Sequence, residues 1–164
     1  MISELYDDFA DEKILVLNKV FCQEKWSDFT KRLRNSMIYI MNSEPERDRI
    51  HSLRLGAKQI FSDRTFVHNI DQPKLPREVL TTLSQTKCDA DIILPSFNGK
   101  AGHPILIGKR VLDDLRHSES VTITLNEYFS QFKKEYVEVK SDLIHQNINT
   151  PEEFDRHFHA EPAN

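Results

Sequence analysis

Asp71 stands where the sequence offers a carboxylate for metal binding. It directly follows the apolar run Phe66–Ile70, which is typical of a buried strand, and Pro73 turns the chain two residues later. A carboxylate is a hard oxygen ligand, and Mg²⁺ in proteins commonly takes one or two carboxylates together with phosphate oxygens of a substrate. Aspartate and proline are also frequent in ordinary turns. The segment on its own leaves both interpretations open.

A second segment, Gly99–Pro104, gathers residues that suit ligand binding in one loop. It holds two of the four glycines of the chain, and His103 stands next to Pro104. Glycine allows the backbone to approach a ligand closely. A hairpin turn that carries a surface histidine explains the same residues equally well.

The third segment, Asn147–Glu152, combines amide side chains with a strong helix start. Asn149 offers an oxygen to a metal ion, and Thr150 is suited to cap the helix that Pro151 would begin. The acids that follow would face the positive end of the helix dipole. Alternatively, the two asparagines simply end a strand and prepare the cap.

Short apolar runs alternate with helical patterns, and this alternation would position the three segments. Strands are predicted at Ile14–Leu17, Met37–Met41, Phe66–Ile70, Ile92–Leu94 and Tyr136–Lys140, with a further apolar run at Pro104–Ile107. Helical spacing marks Trp26–Leu33, Ile50–Ile60, Val79–Leu83 behind Pro76, Val111–Leu115, and the stretch after a capping box of Thr124 and Glu127. This order predicts an α/β domain with an open, mostly parallel sheet, in which ligands bind at the carboxyl ends of the strands.

The composition predicts one domain over residues 1–164, with flexible ends at 1–12 and 159–164. Charged residues make up 29% of the chain and the net charge is -4, so no basic face for nucleic acid is expected. The sequence holds no apolar run near the roughly 20 residues of a membrane span. The acidic N-terminus does not resemble a secretory signal. We therefore expect a cytoplasmic protein that binds neither nucleic acid nor membrane.

The cysteines and the C-terminal histidines do not predict a further site. Cys22 and Cys88 show no paired spacing, and reduced thiols are expected. His157 and His159 have no additional ligands nearby in the polar tail, so no metal site is expected there.

The order and spacing of the three segments resemble the MobA-like nucleotidyltransferases, above all the molybdenum cofactor cytidylyltransferases. That family carries Gly-Asp-Gln-Pro, Gly-x-x-Gly-His-Pro and (Asp/Asn)-x-(Asp/Asn)-Thr-Pro-Glu segments. Here these correspond to Ile70–Pro73, Gly99–Pro104 and Asn147–Glu152. Ser52–Gly56 is similar to the family's Ser-Leu-Arg-x-Gly helix start. The resemblance runs from about Ile14 to the end of the chain.

The resemblance implies a Rossmann-like sheet of the type found in nucleotide-diphospho-sugar transferases, and a nucleotidyl transfer reaction. A phosphate on an acceptor such as a molybdopterin cofactor would attack the α-phosphorus of CTP or GTP, and pyrophosphate would leave. By this resemblance, Mg²⁺ would be held by Asp71 and Asn149, the nucleotide by Ser52, Arg54 and Gln72, and the acceptor by Asn98, Gly102 and His103.

The sequence departs from the family on the nucleotide side. No glycine precedes Gly56, so the family's first strand, glycine-rich phosphate loop and first helix have no counterpart, and we expect an N-terminally truncated fold. Ile70 replaces a glycine, and the charged stretch 46–51 replaces a glycine- and serine-rich approach to Ser52. Asn149 replaces the aspartate of the cytidylyltransferases but fits the related guanylyltransferases. The choice between CTP and GTP therefore stays open.

Two functions follow as alternatives, and the sequence leaves open whether the chain is an enzyme. The first is a nucleotidyltransferase whose missing segment is encoded upstream or supplied by a partner. The second is a non-catalytic ligand-binding or protein-interaction domain that kept the fold. A central strand missing from such a sheet would leave apolar edges, so we also expect self-association or a rearranged sheet.

Overall fold

The computed structural model describes residues 2–22, 37–117 and 123–158. Seven strands are present in this part of the chain: β1 (Ile14–Asn18), β2 (Ile38–Asn42), β3 (Arg64–Val67), β4 (Ile92–Phe97), β5 (Lys100–Ala101), β6 (Ile105–Gly108) and β7 (Lys134–Glu138). The α-helices of the same residues are α1 (Ile2–Leu5), α2 (Arg49–Ala57), α3 (Arg77–Gln85), α4 (Lys109–His117), α5 (Leu125–Ser130) and α6 (Pro151–Phe158). Two 3-10 helices span Lys19–Cys22 and Asp142–His145.

The strands form two sheets. In the smaller one, β1 and β2 pair in parallel. In the larger one the order is β3-β6-β4-β5, and β7 pairs with β4 in parallel. Because β6 runs antiparallel to both β3 and β4, the strands β3, β4 and β7 all point the same way. Their carboxyl ends therefore lie at one edge of the sheet.

Alternating side chains of the larger sheet build a core on each of its faces. Ile92, Ile105 and Ile107 pack on one face with residues of α2, α4 and α5. Ile93 and Leu106 pack on the other face with α3 and the 3-10 helix that contains Ile144. This alternation is the period of two expected for strands covered on both sides. The helix α2 also contacts β1 and β2, so it connects the two sheets.

The α/β class with helices flanking the sheets is confirmed, and most predicted elements are present. Antiparallel pairing is more extensive than expected, since β5 and β6 both run against β4. The strand predicted at Phe66–Ile70 ends at Val67, which leaves Ile70 in a turn. Pro76 precedes its helix as the cap residue and does not occupy the first helical position. The helix predicted at Trp26–Leu33 lies outside the described residues.

The N-terminal segment contacts the larger sheet. Tyr6, just after α1, is 7% exposed, and its ring packs against Phe66 of β3. Residues 159–164 lie outside the described part of the chain. No helix within the described ranges is long and apolar enough to cross a membrane.

Candidate active site

The main-chain carbonyl of Ile144 ties two of the three motif segments together. It accepts a hydrogen bond from the backbone N–H of His103 (3.0 Å) and another from Nε2 of Gln72 (3.2 Å). Four residues later, the N–H of Ile148 donates to the carbonyl oxygen of Asp71 (2.7 Å). The segment 144–148 thus brings all three motifs to the carboxyl edge of β3, β4 and β7. This is the edge at which an α/β sheet is expected to bind ligands.

Gly102 is required by this connection. A Cβ atom added there would lie 2.4 Å from the carbonyl oxygen of Ile144 and 2.7 Å from its Cγ1. The N–H of Gly102 donates to the carbonyl of Pro95 (2.9 Å), which fixes the loop from the other side. The glycine expected to contact an acceptor therefore has a packing role, because it lets the loop approach Ile144.

Four buried polar atoms at this edge have no hydrogen-bond partner within the described residues. They are Nε2 of His68, Oδ1 of Asp71, Oε1 of Gln72 and Nδ1 of His103. A buried polar atom left unsatisfied costs about 1–3 kcal/mol. Such atoms are expected where a ligand completes the site.

The two histidines at the site are held in their neutral form. Burial lowers the pKa of His68 to about 4, although the nearby Gln72 backbone and the Asp71 carboxylate act in the opposite direction. Burial also lowers the pKa of His103, and the cation of Arg49 adds to this effect, while Asp71 opposes it. A neutral imidazole can donate from one nitrogen and accept at the other. The site therefore has a polar, hydrogen-bonding side next to one carboxylate.

The oxygen ligands present fit a hard divalent cation that also binds substrate phosphates. Asp71 offers a buried carboxylate oxygen without a partner, and Asn149 follows the residue that is hydrogen-bonded to the Asp71 backbone. No group of three or more His, Cys, Asp or Glu residues in the described ranges is arranged to enclose a metal. Mg²⁺ commonly keeps several waters and uses few protein ligands, so a sparse set is compatible with it.

The residues predicted for the nucleotide lie on two different elements. Ser52 lies in the second turn of α2, where its Oγ accepts a hydrogen bond from Nδ2 of Asn42 (3.1 Å) at the end of β2. Arg54 is buried, with 7% exposure. Gln72 is buried at 3% exposure beside Asp71, where its Nε2 contacts Ile144 as described. No hydrogen bond recorded among the described residues connects Ser52 to the Asp71 turn.

Asn98 occupies the tip of the hairpin between β4 and β5. Its φ of 52° and the 73° of Gly99 are both positive, which an Asn-Gly pair adopts readily in a tight hairpin turn. Its N–H donates to Oε1 of Glu138 (3.0 Å), and the residue is exposed. The turn accounts for this asparagine, and no hydrogen bond among the described residues joins it to His103.

Three residues near the site were not predicted from the sequence. His68 fell inside the predicted strand, Asn42 followed an apolar run, and Arg49 belonged to a charged stretch treated as a departure from the family. In the structure α2 begins at Arg49, with the Asp48 side chain accepting from the His51 N–H as its cap. The aspartate three residues before His51 was a usable cap signal.

The sequence matches the family model of the MobA-like NTP transferase domain over residues 8–127. The chain belongs to this family of nucleotidyltransferases. No curated protein matches the sequence significantly.

Several solved structures share the fold at low sequence identity. The bifunctional IspDF of Campylobacter jejuni superposes with a TM-score of 0.63 at 14% identity over 90% of this chain, which spans 43% of that protein. The Rv0371c protein of Mycobacterium tuberculosis H37Rv, in complex with manganese, superposes with a TM-score of 0.65 at 13% identity. The match covers 98% of this chain and 87% of that one. Molybdopterin-guanine dinucleotide biosynthesis protein A of Archaeoglobus fulgidus superposes with a TM-score of 0.62 at 18% identity. The match covers 94% of this chain and 82% of that one.

Proposed function

We propose that this chain binds CTP or GTP together with Mg²⁺ and takes part in transfer of the nucleoside monophosphate to a phosphorylated acceptor such as a molybdopterin cofactor. The observation that carries the proposal is the buried Oδ1 of Asp71, which has no partner and lies next to the segment of Asn149. The family and the manganese complex of the Rv0371c structure support the use of a divalent metal.

The proposed reaction assigns a limited task to each residue. An oxygen of the acceptor phosphate forms a bond to the α-phosphorus, and the bond from that phosphorus to the oxygen bridging to the β-phosphorus breaks, releasing pyrophosphate. Mg²⁺ would neutralise the charge of the phosphates. Asp71 and Asn149 would hold the ion, while Gln72 and His103 would position phosphate or acceptor groups by hydrogen bonds. Ser52 and Arg54 stay proposed nucleotide-side residues.

Calorimetric titration with CTP or GTP, with Mg²⁺ or with EDTA, tests the metal site. We expect metal-dependent binding, and Asp71→Asn should weaken it by at least about tenfold, because a charged ligand is lost from a buried position. Asp89→Asn is the matched control, since the side chain of Asp89 is 87% exposed and pairs with the ammonium group of Lys133. Equal binding by wild type and Asp71→Asn would reject the assignment.

The base preference has its own test in Asn149. With the natural asparagine, CTP and GTP should be compared at equal concentrations. If position 149 affects only metal binding, Asn149→Asp should strengthen binding of both nucleotides, because a second carboxylate joins the ion. A change confined to one nucleotide would show instead that position 149 contributes to base choice.

The alternative function is a non-catalytic binding domain. It is favoured by Ile70, which is 61% exposed beside Asp71 where the family usually has glycine. Phosphorus NMR with Mg²⁺, nucleotide and a phosphorylated pterin would detect pyrophosphate release. The alternative would be favoured if the chain bound the nucleotide but released no pyrophosphate, and if no added partner protein restored that release.

Self-association belongs to the same proposal. Among the described residues no strand pairing joins the sheet of β1 and β2 to the larger sheet, so β1 and β3 each pair with one strand. Strand edges of this kind favour pairing with another polypeptide. Light scattering should therefore find a dimer or larger species. A strictly monomeric and highly stable chain would contradict this expectation.

We also propose a cytoplasmic location.

A further inference from the structure

His68 lies one residue beyond β3 and three residues before Asp71, and the proposed reaction gives it no role. Its Nδ1 lies 2.8 Å from the hydroxyl of Tyr6, which comes from the N-terminal segment 62 residues away in sequence. The two rings meet edge to face with centroids 5.7 Å apart. The imidazole is therefore fixed on one side by a hydrogen bond and by ring packing.

The Tyr6 contact determines which nitrogen of His68 carries the proton. Tyr6 is 7% exposed, and burial raises the pKa of its phenol, so the hydroxyl keeps its proton. His68 Nδ1 is the hydrogen-bond partner that the structure gives this hydroxyl. If the phenol donates to Nδ1, the neutral ring must carry its own proton on Nε2. A hydrogen bond to one ring nitrogen of a histidine commonly determines in this way whether the other nitrogen carries the proton.

The Nε2 atom of His68 is then a buried N–H without an acceptor. It is one of the four unpartnered atoms at the edge that also includes Asp71 and His103. The Gln72 backbone and Asp71 both lie close enough to raise the pKa of His68, yet Nε2 makes no hydrogen bond to either of them. A donor that is fixed in direction and left without an acceptor suits an oxygen of a ligand.

We propose that His68 is a further ligand-binding residue, whose Nε2–H donates a hydrogen bond to a phosphate oxygen of the molecule bound beside Asp71, with Tyr6 as its positioning residue. This inference rests on the proposed function for the identity of the ligand. The phosphate would belong either to the nucleotide or to the acceptor, and both present the same kind of oxygen.

The test compares two substitutions that keep different halves of the imidazole. His68→Gln keeps a donor near the position of Nε2, whereas His68→Asn keeps an amide near Nδ1 and loses the distal donor. Binding is measured with GTP and Mg²⁺, with CTP and Mg²⁺, and with inorganic phosphate and Mg²⁺ as a probe of the acceptor phosphate. We expect about tenfold weaker binding for His68→Asn and less than about threefold for His68→Gln, as for loss of one hydrogen bond to a charged group.

A nitrogen-15 NMR measurement on the wild-type chain supplies a readout that does not depend on the folding of variants. His68 should show the Nε2–H tautomer at neutral pH, and its Nε2 resonance should shift when the phosphate-bearing probe is added. Tyr6→Phe should yield a mixture of tautomers. An Nδ1–H tautomer in the wild type would overturn the inference.

The outcomes separate this inference from the proposed function. Nucleotide binding that requires Asp71 but is equal in His68→Asn and wild type keeps the proposed function and overturns the role of His68. Phosphate binding that requires His68, without metal-dependent nucleotide binding, supports His68 and rejects nucleotidyl transfer. Absence of binding by all three probes overturns both. If His68→Asn weakens binding of the nucleotides but not of inorganic phosphate, His68 contacts the nucleotide. If it weakens binding of phosphate but not of the nucleotides, His68 contacts the acceptor.

Discussion

Substitution of Gly102 by alanine should disrupt the connection on which the site is built. The added Cβ would lie 2.4 Å from the Ile144 carbonyl oxygen, and 2.7 and 2.8 Å from two atoms of its side chain. Backbone and a fully buried side chain cannot give way as a flexible surface side chain can. The segment of Ile144 must therefore move, or the loop at Gly102 must.

The loss of stability depends on the hydrogen bonds that the Ile144 carbonyl accepts. Overpacking of this kind costs about 1–3 kcal/mol. The displaced carbonyl is also the acceptor for His103 N–H and Gln72 Nε2, and each buried hydrogen bond that is lost adds about 1 kcal/mol. We expect Gly102→Ala to lower the free energy of unfolding by about 3–5 kcal/mol, which corresponds to roughly 6–20 °C in Tm for a chain of this size.

Urea and thermal unfolding followed by circular dichroism measure this change, and Gly56→Ala is the matched control. At Gly56 an added Cβ would meet Val16 Cγ2 at an ordinary 3.5 Å, inside helix α2. Alanine is favoured over glycine in a helix by up to about 1 kcal/mol, so this variant should be neutral or more stable. A Gly102→Ala protein within 1 kcal/mol of wild type would refute the close approach to Ile144.

Two further predictions concern acid stability and one helix cap. Since burial lowers the pKa of His68 from 6.5 to about 4, the unfolded chain takes up this proton first, and stability is lost as pH falls from about 6.5 towards 4. The free energy of unfolding should fall by at most about 3 kcal/mol over this pH range, and this fall should be absent from His68→Gln. Urea unfolding at each pH measures it. If the stability of both proteins followed parallel curves against pH, the prediction would be contradicted. Thr124→Ala removes a complete capping box with Glu127 and should cost about 1 kcal/mol in thermal melts, whereas Ser130→Ala at the other end of α5 should cost less; equal effects would count against the cap.

Elements with a local signal were predictable from the sequence. The capping box at Thr124, the apolar run of β1 and the proline that begins α6 each depend on neighbouring residues only. The family could be inferred because its segments keep their order and spacing. The proposed role of Asp71 rests on the same order and spacing.

The connections across the chain were not predictable, because they depend on distant residues. Nothing in the sequence near Ile144 indicates that its carbonyl serves both Gln72 and His103. The reversed direction of β6 depends on pairing with β3 and β4, which periodicity does not report. Tyr6 and His68 are 62 residues apart, and the acidic segment around Tyr6 gave no sign of a buried partner.

The division of the strands into two sheets has a consequence for how the molecule opens. The amides of β1 and β2 are protected by each other and by α2, whereas β4 pairs with three strands and has helices on both faces. Native-state hydrogen exchange should therefore find at least two cooperative units, with β1 and β2 opening at a lower free energy than β4. Ser52 would open with the first unit and His103 with the second, so the two ends of the proposed site would respond differently to mild denaturant. Exchange of both sheets with one free energy would show that α2 couples them fully.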